Sequence, residues 1–433
     1  MKRKLLGVVA AGAAVVMLPT LAGAVAPTVN GPMGFDPIAG SAYGQLTNAW
    51  VEPFVVPDGF TQTKVSDESD LDIYVGQDDL DDMNTVNETG KHAGRYLYRT
   101  HEVDDLGSVS VVDLWGIRPP KVLVQEGDPA FPEITSATDL DGLRWTPWGT
   151  LLFAEEELEE PVVGTQDSGR LYEIILDPGD PMTAIDVKDR PQVGRLRHEG
   201  IDVASDGSVY VIDELNGGSI FRFVSARRGD LSEGQLYALK LSGISDADQA
   251  FAAYDPVTNP HTGPFEWVAL DMDDVQVNAN TAADAVSATE YGRPEDIEII
   301  GQILYVANTT EDRVIAIDLK KMTVATFVLA GLNVPVENGG ASVTGLNNPD
   351  NLAEGPDGRL WIVEDNVPSD IWVADADTDH DGAADAVHLF ASLKDSGAEG
   401  TGIYFGKEPH TLYVNIQHAA KPLADGTWII QKG

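Results

Sequence analysis

The chain has 433 residues, no cysteine, and a formal charge of −42 from 70 acidic and 28 basic side chains. That balance excludes a nucleic-acid binder and a protein held to anionic membrane surfaces by charge. The missing cysteines exclude a disulfide framework, so stability must come from a core, with or without bound metal.

In chain order, residues 1–26 read as a secretory signal peptide. Lys2, Arg3 and Lys4 form its basic start, Leu5 to Leu21 its apolar stretch, and Ala22-Gly-Ala24 and Ala24-Val-Ala26 both fit a small-x-small cleavage site. Cleavage takes the charge to −45 by removing three bases. No later segment is apolar for long enough to span a bilayer, so the expectation is a periplasmic or secreted protein with no membrane insertion. Residues 27–93 are Pro-, Gly- and Ala-rich, then densely acidic, and predict an extended segment packed on a main domain over residues 94–433.

From there a short apolar strand runs six times into a polar cluster. The copies are Arg95-Tyr-Leu-Tyr-Arg-Thr-His-Glu102, Thr150-Leu-Leu-Phe-Ala-Glu-Glu-Glu157, Ser208-Val-Tyr-Val-Ile-Asp-Glu214, Ile303-Leu-Tyr-Val-Ala-Asn-Thr-Thr-Glu-Asp312, Arg359-Leu-Trp-Ile-Val-Glu-Asp365 and Thr411-Leu-Tyr-Val-Asn-Ile-Gln-His418. Further β-rich runs follow several of them, such as Ser219-Ile-Phe-Arg-Phe-Val224 and Arg313-Val-Ile-Ala-Ile-Asp-Leu319. Regular units of this length predict an all-β fold, a single β-propeller of six blades. The long step from 209 to 303 holds one more strand pair, around 234–241 and 265–270, which makes seven blades the alternative. A short helix is expected around 281–290. In such a fold the repeated strands are expected to be the innermost ones, gathering their polar ends at one mouth of the channel.

Five segments are dense in polar groups: His101-Glu102, Thr146-Pro-Trp-Gly-Thr-Leu-Leu-Phe-Ala-Glu-Glu156, Arg197-His-Glu-Gly200, Arg293-Pro-Glu-Asp-Ile-Glu298, and a series running from Asn348-Pro-Asp-Asn351 through Glu364-Asp365 and Glu399-Gly-Thr-Gly402 to Asn415-Ile-Gln-His418. Together and in order, these resemble the PhoX-type alkaline phosphatases from about residue 95 to 420. The resemblance implies an exported phosphomonoesterase on a six-bladed propeller, in which metal ions in the channel mouth activate water for attack on phosphate. It implies Glu199 and Glu295 as metal ligands, with Glu155 or Glu156, Asp350 and Glu399 as further ones. Arg293 would grip the phosphate, and His198 would stand beside Glu199 in the catalytic group or pack in the core.

Two features depart from the family. The family has a metal-ligating cysteine directly before the paired glutamates, where this chain has Ala154. Its members also usually carry a twin-arginine leader, absent here. Both put iron in doubt and leave Ca²⁺ as the expected cofactor, since oxygen donors suit hard cations. The expected partner is a small-molecule phosphate ester bound by a monomeric chain. A non-catalytic calcium-binding propeller is the alternative, and another propeller hydrolase such as a lactonase a third.

Separately, Asp377-Thr-Asp-His-Asp-Gly-Ala-Ala-Asp385 matches the start of a calcium loop, with Asp377, Asp379 and Asp381 as candidate ligands and Gly382 at the turn. His388 stands where an EF-hand has its bidentate acid.

Overall fold

The computed structural model describes residues 28–433, apart from 43, 45–49, 104–105, 135–136, 159–167, 330–334, 337–345 and 366–367. The expected leader lies outside the described residues. Six antiparallel four-stranded units follow one another around a channel. Their inner strands are Asp81–Val86, Leu140–Trp145, Ile201–Val203, Pro294–Ile300, Pro349–Glu354 and Glu399–Phe405. Each touches the next, and the last returns to the first, so the ring closes at six.

The repeated apolar strands are therefore the second strands of their blades, not the innermost: Tyr96–His101, Leu151–Glu155, Val209–Ile212, Ile303–Asn308, Leu360–Glu364 and Thr411–Gln417. They read as unbroken apolar runs because both faces of a blade are covered by neighbours. In Leu360–Glu364, Leu360 and Ile362 enter one core cluster while Trp361 and Val363 enter another. In Leu151–Glu155, Leu151 and Phe153 face blade one, and Leu152 and Ala154 face blade three. Each such Leu or Phe contributes roughly 1.5–3 kcal/mol by leaving water. The polar cluster begins where this sandwiching ends.

The segment expected to lie extended over 27–93 is partly built into the propeller. Phe60–Asp67 is the outer strand of blade six, pairing with Gly426–Lys432, and Asp81–Val86 is the inner strand of blade one. The chain's start thus closes the ring onto its end. The extra strand pair is an elaboration, not a seventh blade: Asp230–Leu241 is the fourth strand of blade three, and Gly263–Ala269 bridges it to Thr323–Leu329 of blade four. The helix there runs Ala279–Ala285 and ends sooner than expected, because Glu290–Gly292 is a strand paired with the start of Asn216–Arg227.

Antiparallel pairing brings the start of each inner strand to the end of its second strand: Asp81 faces His101, Leu140 faces Glu155, Pro294 faces Asn308 and Pro349 faces Glu364. In all four the register slips just after that pair, placing an extra residue in the inner strand. Such bulges bend a strand and redirect a side chain.

Candidate metal centre

The bulges set an acid at the same position in each of these strands: Asp82, Asp141, Glu295 and Asp350. Glu199 holds that position in blade three, two residues ahead of Ile201. Blade six has Gly402 there, at φ +53°, where an added Cβ would lie 2.0 Å from the Asp82 carbonyl oxygen. A second tier comes from the residues just past the second strands: Glu102, Glu156, Glu214 and Asp365, with Thr309 in blade four. Blade six adds Glu399 and Thr401. Asp82, Glu102, Asp141, Glu156, Glu199, Glu295, Asp350, Asp365, Glu399, Thr401 and Arg293 line one cavity of about 220 Å³.

Close contact between blades holds these groups. An added Cβ on Gly142 would lie 2.4 Å from the Glu199 carbonyl oxygen, and one on Gly200 would lie 2.6 Å from the Ile297 nitrogen. Gly200 N donates to Glu295 O at 3.0 Å, and Thr100 Oγ1 to Asp141 O at 2.7 Å. Asn351 donates to Asp350 at 2.9 Å and accepts from Gly402 N at 2.5 Å. Gln417 Nε2 reaches both Asp82 and Glu102 at 3.1 Å.

Nine carboxylates around one arginine repel one another. At an effective dielectric of 20, two like charges 4 Å apart cost about 4 kcal/mol. Burial is the leading cause of a raised pKa at each shifted site here. It pushes Glu295 and Glu399 up to about 8. Asp82, Asp141, Glu156, Glu199 and Asp350 rise well above the carboxylate range, with a neighbouring acid as the next cause in each: Glu102, Asp82, Glu214, Glu295 and Glu295 respectively. Asp82 Oδ1, Asp141 Oδ1 and Glu199 Oε2 are buried and receive no hydrogen bond. Glu199, Glu214 and Glu295 each offer an oxygen within 4.8 Å of the other two. Such a set fits hard divalent cations, which take six to eight oxygen ligands and supply the missing counter-charge.

Arg293 has a left-handed backbone, φ +46°. Its Nη2 is 2.5 Å from Glu214 Oε1 and 3.0 Å from Glu295 Oε1, while Nη1 lies 3.8 Å from Asp365. Burial works against its charge, and Glu295, Glu214 and Glu199 more than offset that, so it stays protonated.

Among the expected site residues, Glu199, Glu295, Asp350, Glu399, Arg293 and Glu156 meet in the cavity. Glu155 does not. It points to the other side of its strand and accepts from Thr138 N at 3.2 Å and Arg170 N at 2.8 Å. His198 also stays out: it is fully buried, within 3.1 Å of the Gly194 carbonyl oxygen, and burial lowers its pKa to about 4. Ala154 packs with Leu152, Leu171, Leu196 and Ile201, away from the cavity lining. The Asp377–Asp385 loop lies between the two outer strands of blade five, and none of its residues lines the cavity. There Asp377, Asp379 and Asp385 present oxygens within 4.8 Å, whereas Asp381 Oδ1 accepts from Ala383 N, and His388 pairs with Asp375. Asp82, Asp141 and Glu214 were not expected as site residues. The signal for the first two is an acid one or two residues ahead of an apolar stretch, as in Asp141-Gly-Leu143, a pattern that Glu295-Asp-Ile297 shares within a longer motif.

The family model for alkaline phosphatase PhoX matches residues 144–420. The chain belongs to the PhoX alkaline phosphatase family. A structure of Pseudomonas fluorescens PhoX in complex with vanadate, described as a transition state analogue, superposes with a TM-score of 0.63 at 18% identity, covering 93% of this chain and 98% of that one. A catalytically inactive virginiamycin B lyase of Staphylococcus aureus with quinupristin matches at 13% identity and a TM-score of 0.44, over 86% of this chain and 99% of that one. No curated protein matches. PhoX membership makes this a metal-dependent phosphatase by family, and the propeller is the fold shared with the Pseudomonas protein. Among the described residues, no helix is long and apolar enough to cross a membrane.

Proposed function

We propose that this PhoX-family protein is an exported phosphomonoesterase whose channel mouth holds divalent cations, Ca²⁺ foremost. The observation carrying the proposal is the carboxylate ring with three donorless buried oxygens around a single arginine. Glu199, Glu295, Asp350, Asp141 and Asp82 would hold the cations, with Glu156 and Glu399 completing the set. Bound cations would neutralise phosphoryl oxygens and lower the pKa of a water nucleophile. Arg293, just ahead of the inner strand Pro294–Ile300, would direct its Nη1 edge at the ester and orient it for attack. The surrounding acids would keep anions out until cations are bound, which makes cation loading a precondition for substrate.

The test is metal analysis of the purified protein with hydrolysis of p-nitrophenyl phosphate, with and without added Ca²⁺. Turnover that requires a divalent cation is expected, and Arg293→Ala should lower it by about 10²–10³-fold, as for loss of one preorganised charge donor. Bound calcium with no turnover under any added divalent metal would reject the phosphatase reading. That outcome would favour a non-catalytic calcium-binding propeller.

A further inference from the structure

Arg293 reaches the cavity from outside the propeller repeat. The chain between blades three and four leaves after Asp230–Leu241 and returns as the short strand Glu290–Gly292, which pairs with Asn216–Ser219. Arg293 N then donates to Leu215 O at 3.2 Å, and Arg293 O accepts from Thr309 N at 3.0 Å. This ladder sets Arg293 directly against Glu214. One oxygen, Glu214 Oε1, takes both Nε at 2.7 Å and Nη2 at 2.5 Å. The side chain of Glu214 is only 8% exposed, and that of Arg293 is 38% exposed. The Nε–Nη2 edge is thus held and the Nη1 edge is left open to the cavity, where its nearest carboxylate is 3.8 Å away.

We infer that Glu214 is the positioning residue of Arg293. It fixes the guanidinium so that the Nη1 edge meets the phosphoryl group, and so sets affinity for that group rather than the number of cations held. With Nε and Nη2 both committed to Glu214 Oε1, Nη1 is the donor left for a phosphoryl oxygen, and a guanidinium that swings freely does not hold that donor in line. The inference rests on the phosphatase reading above. It requires an acceptor at the end of residue 214's side chain, at the reach of a glutamate, and does not require its charge.

The experiment is calorimetric binding of inorganic phosphate to the calcium-saturated protein, alongside KM and kcat for p-nitrophenyl phosphate. Glu214→Gln keeps the acceptor at the same reach and is expected to bind phosphate within about 3-fold of the unaltered protein. Glu214→Ala and Glu214→Asp, which lose the acceptor or its reach, are expected to weaken phosphate binding by at least about 10-fold, with KM rising more than kcat falls. Calcium stoichiometry should be the same in all. If the alanine variant fails to fold, the aspartate and glutamine variants decide the matter by their order. Equal phosphate affinity across the series overturns the inference. So does a glutamine variant as impaired as alanine with a cation lost, which would make Glu214 a metal ligand. Phosphate binding that follows the expected order with no ester hydrolysis rejects the phosphatase reading alone. A protein that binds no phosphate rejects both.

Discussion

Two adjacent glutamates with opposite duties show what decides function at the scale of the residue. Glu155 and Glu156 are chemically alike, yet the first closes two backbone donors and the second faces the cavity. Glu155→Ala should therefore cost stability, roughly 1–3 kcal/mol for each abandoned donor, and leave calcium stoichiometry unchanged. Glu156→Gln should do the reverse, weakening calcium binding while leaving the metal-free protein about as stable, because burial and Glu214 already hold that carboxyl in its neutral form when no cation is bound. Urea unfolding and a calcium titration on both variants check the pair. The Glu-Glu motif marked this place in the sequence but did not say which member turns inward, since side chains alternate faces and one residue's slip exchanges them. Ala154, two positions before Glu156, packs in the core between blades, because the strand Leu151–Glu155 ends before Glu156 and its alternation does not carry past that end.

Inner strands and the ties between them carry the site at the scale of the element. At the cavity end they are bulged; farther along they are clamped by Arg144, which donates to Glu298 at 2.9 Å and pairs with Asp202 at 2.7 Å, joining blades two, three and four. Asp202 also accepts from Ile299 N at 2.7 Å, and Asp296 from Leu352 N at 2.8 Å. Arg144→Ala would leave two carboxylates uncompensated. With a side chain 20% exposed the loss should fall somewhat below that of a fully buried pair, at about 2–4 kcal/mol, measured by denaturant unfolding. The first strands matter equally. Deleting the chain through residue 67 removes the outer strand of blade six and bares Gly426–Lys432 as an open edge. Loss of cooperative unfolding and association at micromolar concentration are expected, read by denaturation and light scattering. None of these ties could be read from the sequence. Phe60–Asp67 alternates too weakly to signal a strand, with only Phe60, Ser66 and Asp67 buried, and its partner is the far end of the chain.

The whole molecule is an acidic shell around a demand for cations. Calcium at 100 times its dissociation constant should add about 2.7 kcal/mol per site, so chelation should lower the melting temperature and recalcification restore it. The metal-free protein has a further pH dependence from buried acids away from the channel. Burial raises Asp425 to about 8 and Asp370 to about 6. The folded state then binds more protons than the unfolded chain between about pH 4 and 8, so stability is fully present below about pH 4 and declines as pH rises to about 8, most steeply below 6 where both groups contribute. Thermal melts in chelator across that range should show the decline, and a flat or rising profile would contradict it. The all-β class, the six-unit repeat, the PhoX resemblance and the candidacy of Glu199, Arg293 and Glu295 are written in the order of amino acids, because burial on both faces of a blade imposes apolar runs and because metal and phosphate chemistry confine residue types. The place of the repeated strands as second in their blades, the entry of Asp82 and Asp141 into the ring, and the turning of Glu155, His198 and Ala154 away from it emerge with the folded chain. Those outcomes depend on strand register and bulges, which are set by partners distant in the chain.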